Sequence, residues 1–107
     1  MAYTVKNLAN GQLPNSIGDL YEVPGSTTAI VRSITLVNTN TTAETVNLYY
    51  LKAAGTARRI IPKDLSLVAA NSITVDIILT LGAGDKIQGQ TTTASKVDFV
   101  ISGVESV

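Results

Sequence analysis

A chain of 107 residues is long enough for one domain with a real core and too short for two. Its eight Lys and Arg balance eight Asp and Glu, so it lacks the accumulated positive charge by which nucleic acid and anionic membranes are held. With no Cys and no His, it has no disulfide staples, no thiolate or imidazole metal ligands, no Ser-His-Asp triad and no thiol catalysis, and hydrophobic burial has to supply its stability.

The first residues, M-A-Y-T-V-K-N-L-A-N-G-Q, contain neither a basic leader nor an apolar run of signal-peptide length. No stretch approaches the roughly 18 to 20 apolar residues of a membrane span. The expectation is a chain made in a cytoplasm without a signal peptide, with protein partners rather than nucleic acid or membrane.

Residues 1–16 open with a short strand at Tyr3 to Lys6. They then pass into Asn7-Leu8-Ala9-Asn10-Gly11-Gln12-Leu13-Pro14-Asn15-Ser16, whose three Asn, Gly and Pro read as an irregular arm. The arm either lies on the domain or docks on a neighbour, with Leu8 and Leu13 as its apolar contacts. A single domain over 17–107 follows, its first core strand at Ser16 to Val23 and a Pro24-Gly25-Ser26 turn after it.

Thr27 to Leu51 is the stretch around which the rest is organised. Ile30, Ile34 and Leu36 fall on one side of an extended chain, with Arg32 among them; Val46, Leu48 and Tyr50 do the same further on. Polar, small Asn38 to Ala43 between them predicts a hairpin at the centre of a sheet.

After a turn at Lys52 to Ala57, Arg58-Arg59-Ile60-Ile61-Pro62 is short and ends in a residue that cannot donate to a ladder, which puts it at an edge. Leu65 to Val68 is a brief apolar segment. Ser72 to Thr80 alternates most cleanly, Ile73, Val75, Ile77 and Leu79 pointing one way and Ile78 the one exception. Gly82 and Gly84 make a tight turn, Lys86 to Gln90 a further strand, and Lys96 to Glu105 a last one with Val97, Phe99 and Ile101 inward. About eight strands separated by frequent turns predict an all-β antiparallel sandwich, immunoglobulin-like or jelly-roll.

The carboxylates Asp19, Glu22, Glu44, Asp64, Asp76, Asp85, Asp98 and Glu105 are scattered, with no calcium loop among them. Gly82 to Lys86 lacks the Gly-Lys-Ser or Gly-Lys-Thr of a phosphate loop. No catalytic, cofactor-binding or metal residue is therefore assigned. Arg58, Arg59 and Lys63 form the one basic cluster, which either meets an acidic patch on a neighbour or guards an edge against uncontrolled strand pairing. Tyr49 and Tyr50 are adjacent on a strand, so one faces outward as an interface anchor. The expected interface residues are thus Arg58, Arg59, Lys63, Tyr49, Tyr50, Leu8 and Leu13.

Several segments, in order, carry a resemblance: Leu20-Tyr21-Glu22-Val23-Pro24-Gly25, the strand from Thr28 to Thr39, Ala69 to Val75, Leu81-Gly82-Ala83-Gly84-Asp85-Lys86-Ile87, and Val97 to Glu105. Over roughly residues 17 to 105 the chain resembles small β-sandwich virion proteins of tailed bacteriophages. That resemblance implies a capsid decoration, or cement, protein in the virion. Its partners would be the major capsid protein or other virion proteins, and it would be a homo-oligomer, a trimer favoured, with no cofactor. A tail, baseplate or fibre-associated protein, or a carbohydrate or cell-surface binding module, is the alternative.

Overall fold

The computed structural model describes residues 3–107, and in it the described chain forms nine strands. These are β1 (Tyr3–Gln12), β2 (Gly18–Glu22), β3 (Thr28–Asn38), β4 (Glu44–Leu51), β5 (Arg58–Arg59), β6 (Leu65–Leu67), β7 (Ser72–Leu81), β8 (Lys86–Thr91) and β9 (Val97–Ser106). One sheet has the order β1-β9-β3-β7, the other β2-β8-β4-β5, with β6 also paired to β4. All pairs are antiparallel. The fold is the expected all-β sandwich. Apart from the links joining β4, β5 and β6, every connection carries the chain from one sheet to the other, which is jelly-roll rather than immunoglobulin connectivity.

β5 and β6 are two pieces of one edge strand. Arg58 and Arg59 pair with Tyr50 and Tyr49, while Leu65 to Leu67 pair with Val46 to Glu44. The break between them holds Pro62, which has no N–H to donate, and Asp64 at a φ of 52°, a left-handed conformation that Asp tolerates.

Three expectations change. The segment after Asn38 is not a hairpin: β3 and β4 lie in different sheets, and residues 39–43 cross between them. Buried Asn38 organises the crossing, its amide donating to the carbonyls of Thr42 (3.0 Å) and Leu67 (2.9 Å) while its Oδ1 accepts from the Asn40 N–H (2.8 Å). An Asn-rich polar stretch reads the same in sequence whether it turns a hairpin or crosses a sandwich.

Ile30 does not share a face with Ile34 and Leu36. A bulge between Val31 and Ser33 shifts the alternation, so Val31, Ile34 and Leu36 are buried while Ile30 and Arg32 are exposed. Next to the bulge β3 and β9 approach closely at Gly103, where a Cβ would run into the Ile30 carbonyl oxygen.

Nor is there an irregular arm among the described residues of 1–16; residues 1 and 2 lie outside them. Tyr3 to Gln12 is a ten-residue strand laddered on β9, with a bulge at Asn7/Ala9. Leu13 after it is fully buried in the core of the domain. Asn7, Asn10 and Gly11, which suggested a loop, belong to an edge strand, where the bulge and Gly11 interrupt regularity without ending the pairing.

The core lies between the sheets, built from Val31, Ile34 and Leu36 of β3, Val46 and Leu48 of β4, and Val97, Phe99 and Ile101 of β9. Ile73, Val75, Ile77 and Leu79 of β7 face it but stay half-exposed at the sheet edge, and Ile78 stands outward as predicted.

Candidate functional site

The basic cluster lies where predicted, on the broken β5–β6 edge. Arg58, Arg59 and Lys63 are all exposed there, and none makes an ion pair among the described residues. Arg59 is the ordered member. Its guanidinium lies 5.0 Å from the centre of the Tyr49 ring, a cation–π distance, and its Nη1 donates to Asn47 Oδ1 at 2.6 Å. The same oxygen accepts from the Asp64 N–H (2.9 Å), and the Asn47 amide donates to Asp64 Oδ1 (3.0 Å). Asn47 thereby ties the break between β5 and β6 to the centre of the sheet.

The tyrosines divide as the strand period requires. Tyr50 turns inward and donates to Asp85 (3.1 Å). Tyr49 faces outward, but Arg59 lies across its ring, so only 7% of it is exposed. Neither is a free anchor. Leu13 is core, and Leu8 is half-buried against that core on β1, in the other sheet from the basic cluster. The fold therefore does not bring the seven expected interface residues onto one surface; Arg58, Arg59 and Lys63 share the broken edge, with Tyr49 as the platform of Arg59.

The opposite edge of the same sheet carries charge of the other sign. On β2, Asp19 accepts from Gln88 Nε2 (2.7 Å) and pairs with Lys86 (3.0 Å), and Glu22 lies 3.9 Å from the same Lys86. Gln88 and Lys86 together hold the Asp19 carboxyl below its ordinary range. Residues three apart on a strand ordinarily face opposite ways. A bulge between Asp19 and Tyr21 brings both acids to one face, opposite Gln88 and Lys86. Nothing in the spacing of S-I-G-D-L-Y-E-V signals that bulge, and the acidic edge was not legible in the sequence.

Three buried or half-buried carboxylates also escaped prediction. Asp85 accepts from the N–H groups of Ala53 and Gly82 (2.9 Å each) and from the Tyr50 hydroxyl; the Ala53 bond is the largest of the effects that hold its carboxyl below the usual range. Burial pushes the Glu44 carboxyl up, but bonds from the Thr93 N–H (2.7 Å), Asn40 and Thr91 outweigh it and leave it lowered. Glu105 accepts from the Tyr21 hydroxyl, chiefly for that reason lies low, and pairs with Lys6 at 3.1 Å; Tyr21 in turn is pushed up by burial and by Glu105. Each carboxylate is occupied by bonds that tie loops or sheets together.

Two shallow grooves mark the surface. One of about 310 Å³ is lined by Ser26, Thr27, Thr28, Ala83, Ser106 and Val107; another of about 560 Å³ runs along β1 and β9 past Asn7, Asn10, Gln12 and Asp98. Asp98 is the one ionisable side chain in either lining. No group of three or more Asp or Glu capable of holding a metal occurs among the described residues. No helix there is long and apolar enough to cross a membrane.

No protein-family model and no curated protein sequence matches the chain. Solved structures do. The chain is similar to a structure of infectious bursal disease virus, Gx strain, with a TM-score of 0.56 and 13% identity, over 97% of this chain and 32% of that one. It is likewise similar to a chain of the T13 particle of the same virus, with a TM-score of 0.57 and 8% identity, over 97% of this chain and 29% of that one. The chain thus spans about a third of the length of the virus chains it matches, and at such identities the likeness is one of fold. It overturns the resemblance to tailed-bacteriophage virion proteins, and the capsid-decoration role drawn from it. The segments from Leu20 to Glu105 that suggested a phage protein are the strands and turns of this chain's own jelly roll.

Proposed function

We propose that the chain is a structural domain of a virus particle, present in many copies and working by fitting against protein rather than by chemistry. The observation that carries this reading is the jelly-roll likeness to chains of an icosahedral virus particle over nearly the whole of the described sequence. The site agrees with it. The carboxylates of Asp85, Glu44 and Glu105 are engaged in structural bonds, the surface grooves are shallow, and the basic cluster Arg58, Arg59 and Lys63 sits along a sheet edge.

The test is to purify particles from cells expressing the chain together with the rest of its virus, and to count the chain by quantitative mass spectrometry. Many copies per particle, retained through a density gradient, are expected. A chain abundant in the cells and missing from purified particles overturns the reading.

A further inference from the structure

Building on that structural role, we propose that copies of this chain dock head to tail through the short sheet, the β2 edge of one copy meeting the broken β5–β6 edge of the next. In the order β2-β8-β4-β5 these are the two outer edges. The β2 edge carries Asp19 and Glu22 against Lys86; the other carries Arg58, Arg59 and Lys63 against Asp64. Counting those groups leaves one negative charge on the first edge (two acids, one base) and two positive charges on the second (three bases, one acid). The chain as a whole is neutral, so its charge is separated across this sheet rather than lacking.

The order of groups along each edge matches as well. β2 and β4 run in the same direction, because both are antiparallel to β8, and β6 runs against β4. Towards the end where β2 and β4 begin, the two edges are out of step: Ile17, which precedes β2, falls next to the row of Leu48, whereas Val68, which follows β6, falls beyond the row of Glu44. Glu22 and Arg58 lie at the other end, Glu22 in the row of Leu51 and Arg58 in the row of Tyr50. Between them, Asp19, Gln88, Tyr49 and Arg59 form one row across the sheet.

A neighbour set side by side with its strands running the same way brings Asp19 towards Arg59 and Glu22 towards Arg58. Pairing either edge with its own copy brings like charges together instead. The pattern thus selects a heterologous contact over a two-fold one. Pro62 and the gap between β5 and β6 keep the contact to side chains and prevent continuous strand addition.

The test uses three forms of the purified chain in sedimentation velocity over a concentration series. One is unaltered. One has the basic edge reversed, Arg58→Glu with Lys63→Glu, and one has the acidic edge reversed, Asp19→Lys with Glu22→Lys. Arg59 is left in place because it holds Asn47 and Tyr49, and thermal melts check that each variant folds. The unaltered chain is expected to self-associate, less so at high salt. Each variant alone should associate ~10-fold more weakly or worse, like charges now meeting at the contact. An equimolar mixture of the two variants should recover association, since each then offers the edge the other needs. An unaltered chain that stays monomeric at its highest soluble concentration, variants that associate as it does, or a mixture that fails to recover each overturns the contact. Those failures leave the particle count untouched. A chain missing from particles, with the mixture still recovering, removes the viral role and keeps the contact.

Discussion

In the long sheet, β1, β3, β7 and β9 run ten or eleven residues each, and backbone ladders bind neighbour to neighbour along almost their whole length. The strands of the short sheet run from two to eight residues, and its edge is broken. Where the ladder is short, buried side chains take over: Asn47 holds the broken edge, Asp85 gathers the β4–β5 and β7–β8 turns, and Glu44 fastens the β8–β9 turn. The two sheets therefore fail in different ways. The long one is vulnerable where backbones crowd, the short one where a polar side chain is removed.

The largest effect is expected in the long sheet, at Gly103. A Cβ there meets the Ile30 carbonyl oxygen, which the bulged backbone cannot move aside, so Gly103→Ala should cost about 3 kcal/mol in urea unfolding. Gly25→Ala, with nothing within 4 Å of its Cβ, is the matched control and should leave the midpoint unchanged.

In the short sheet, Asp85→Ala orphans two N–H groups and the Tyr50 hydroxyl, and should cost about 2 kcal/mol by the same measurement. A loss equal to that of an exposed Asp, such as Asp76, would remove Asp85 from its role as a tie.

Acid should weaken the polar ties of both sheets, Glu105 on β9 included. Asp85, Glu44 and Glu105 have carboxyls lowered in the folded chain, so on acidification the unfolded chain takes up protons first. Their stabilisation is complete above the unfolded carboxylate pKa of about 4 and is lost as the pH falls through the folded values. Urea midpoints measured from pH 7 downwards should fall in that window, and Asp85→Asn should flatten the fall.

The smallest effect belongs to Lys6→Ala, which removes a half-exposed ion pair to Glu105 and should cost about 0.5 kcal/mol or less.

The same contrast explains what could be read from the sequence. Strands with regular alternation, such as Ser72 to Leu81 and Val97 to Ser106, were legible because a period of two needs no tertiary knowledge. Bulges break that period and leave no local mark, and they account for the misplaced face of Ile30 and for the unseen acidic pair Asp19 and Glu22. Sheet membership was illegible as well: Asn38 to Ala43 has turn composition, and its path across the sandwich depends on Leu67, far along the chain. Of the candidate site, the basic edge was readable because Arg58-Arg59 beside Pro62 is a composition signal, whereas Leu13 was mistaken for a surface contact because the loop-like residues around it hide a buried position.

Tyr3 pairs with Ser106 across β1 and β9, which sets the two ends of the described fold beside each other. A short bridge of a few Gly and Ser could therefore close the chain into a loop that is reopened in the Lys52 to Ala57 turn, with every ladder intact. Such a rearranged polypeptide would present fresh termini next to Arg58, giving a direct handle for attaching labels or cargo at the edge where a second copy is expected to sit.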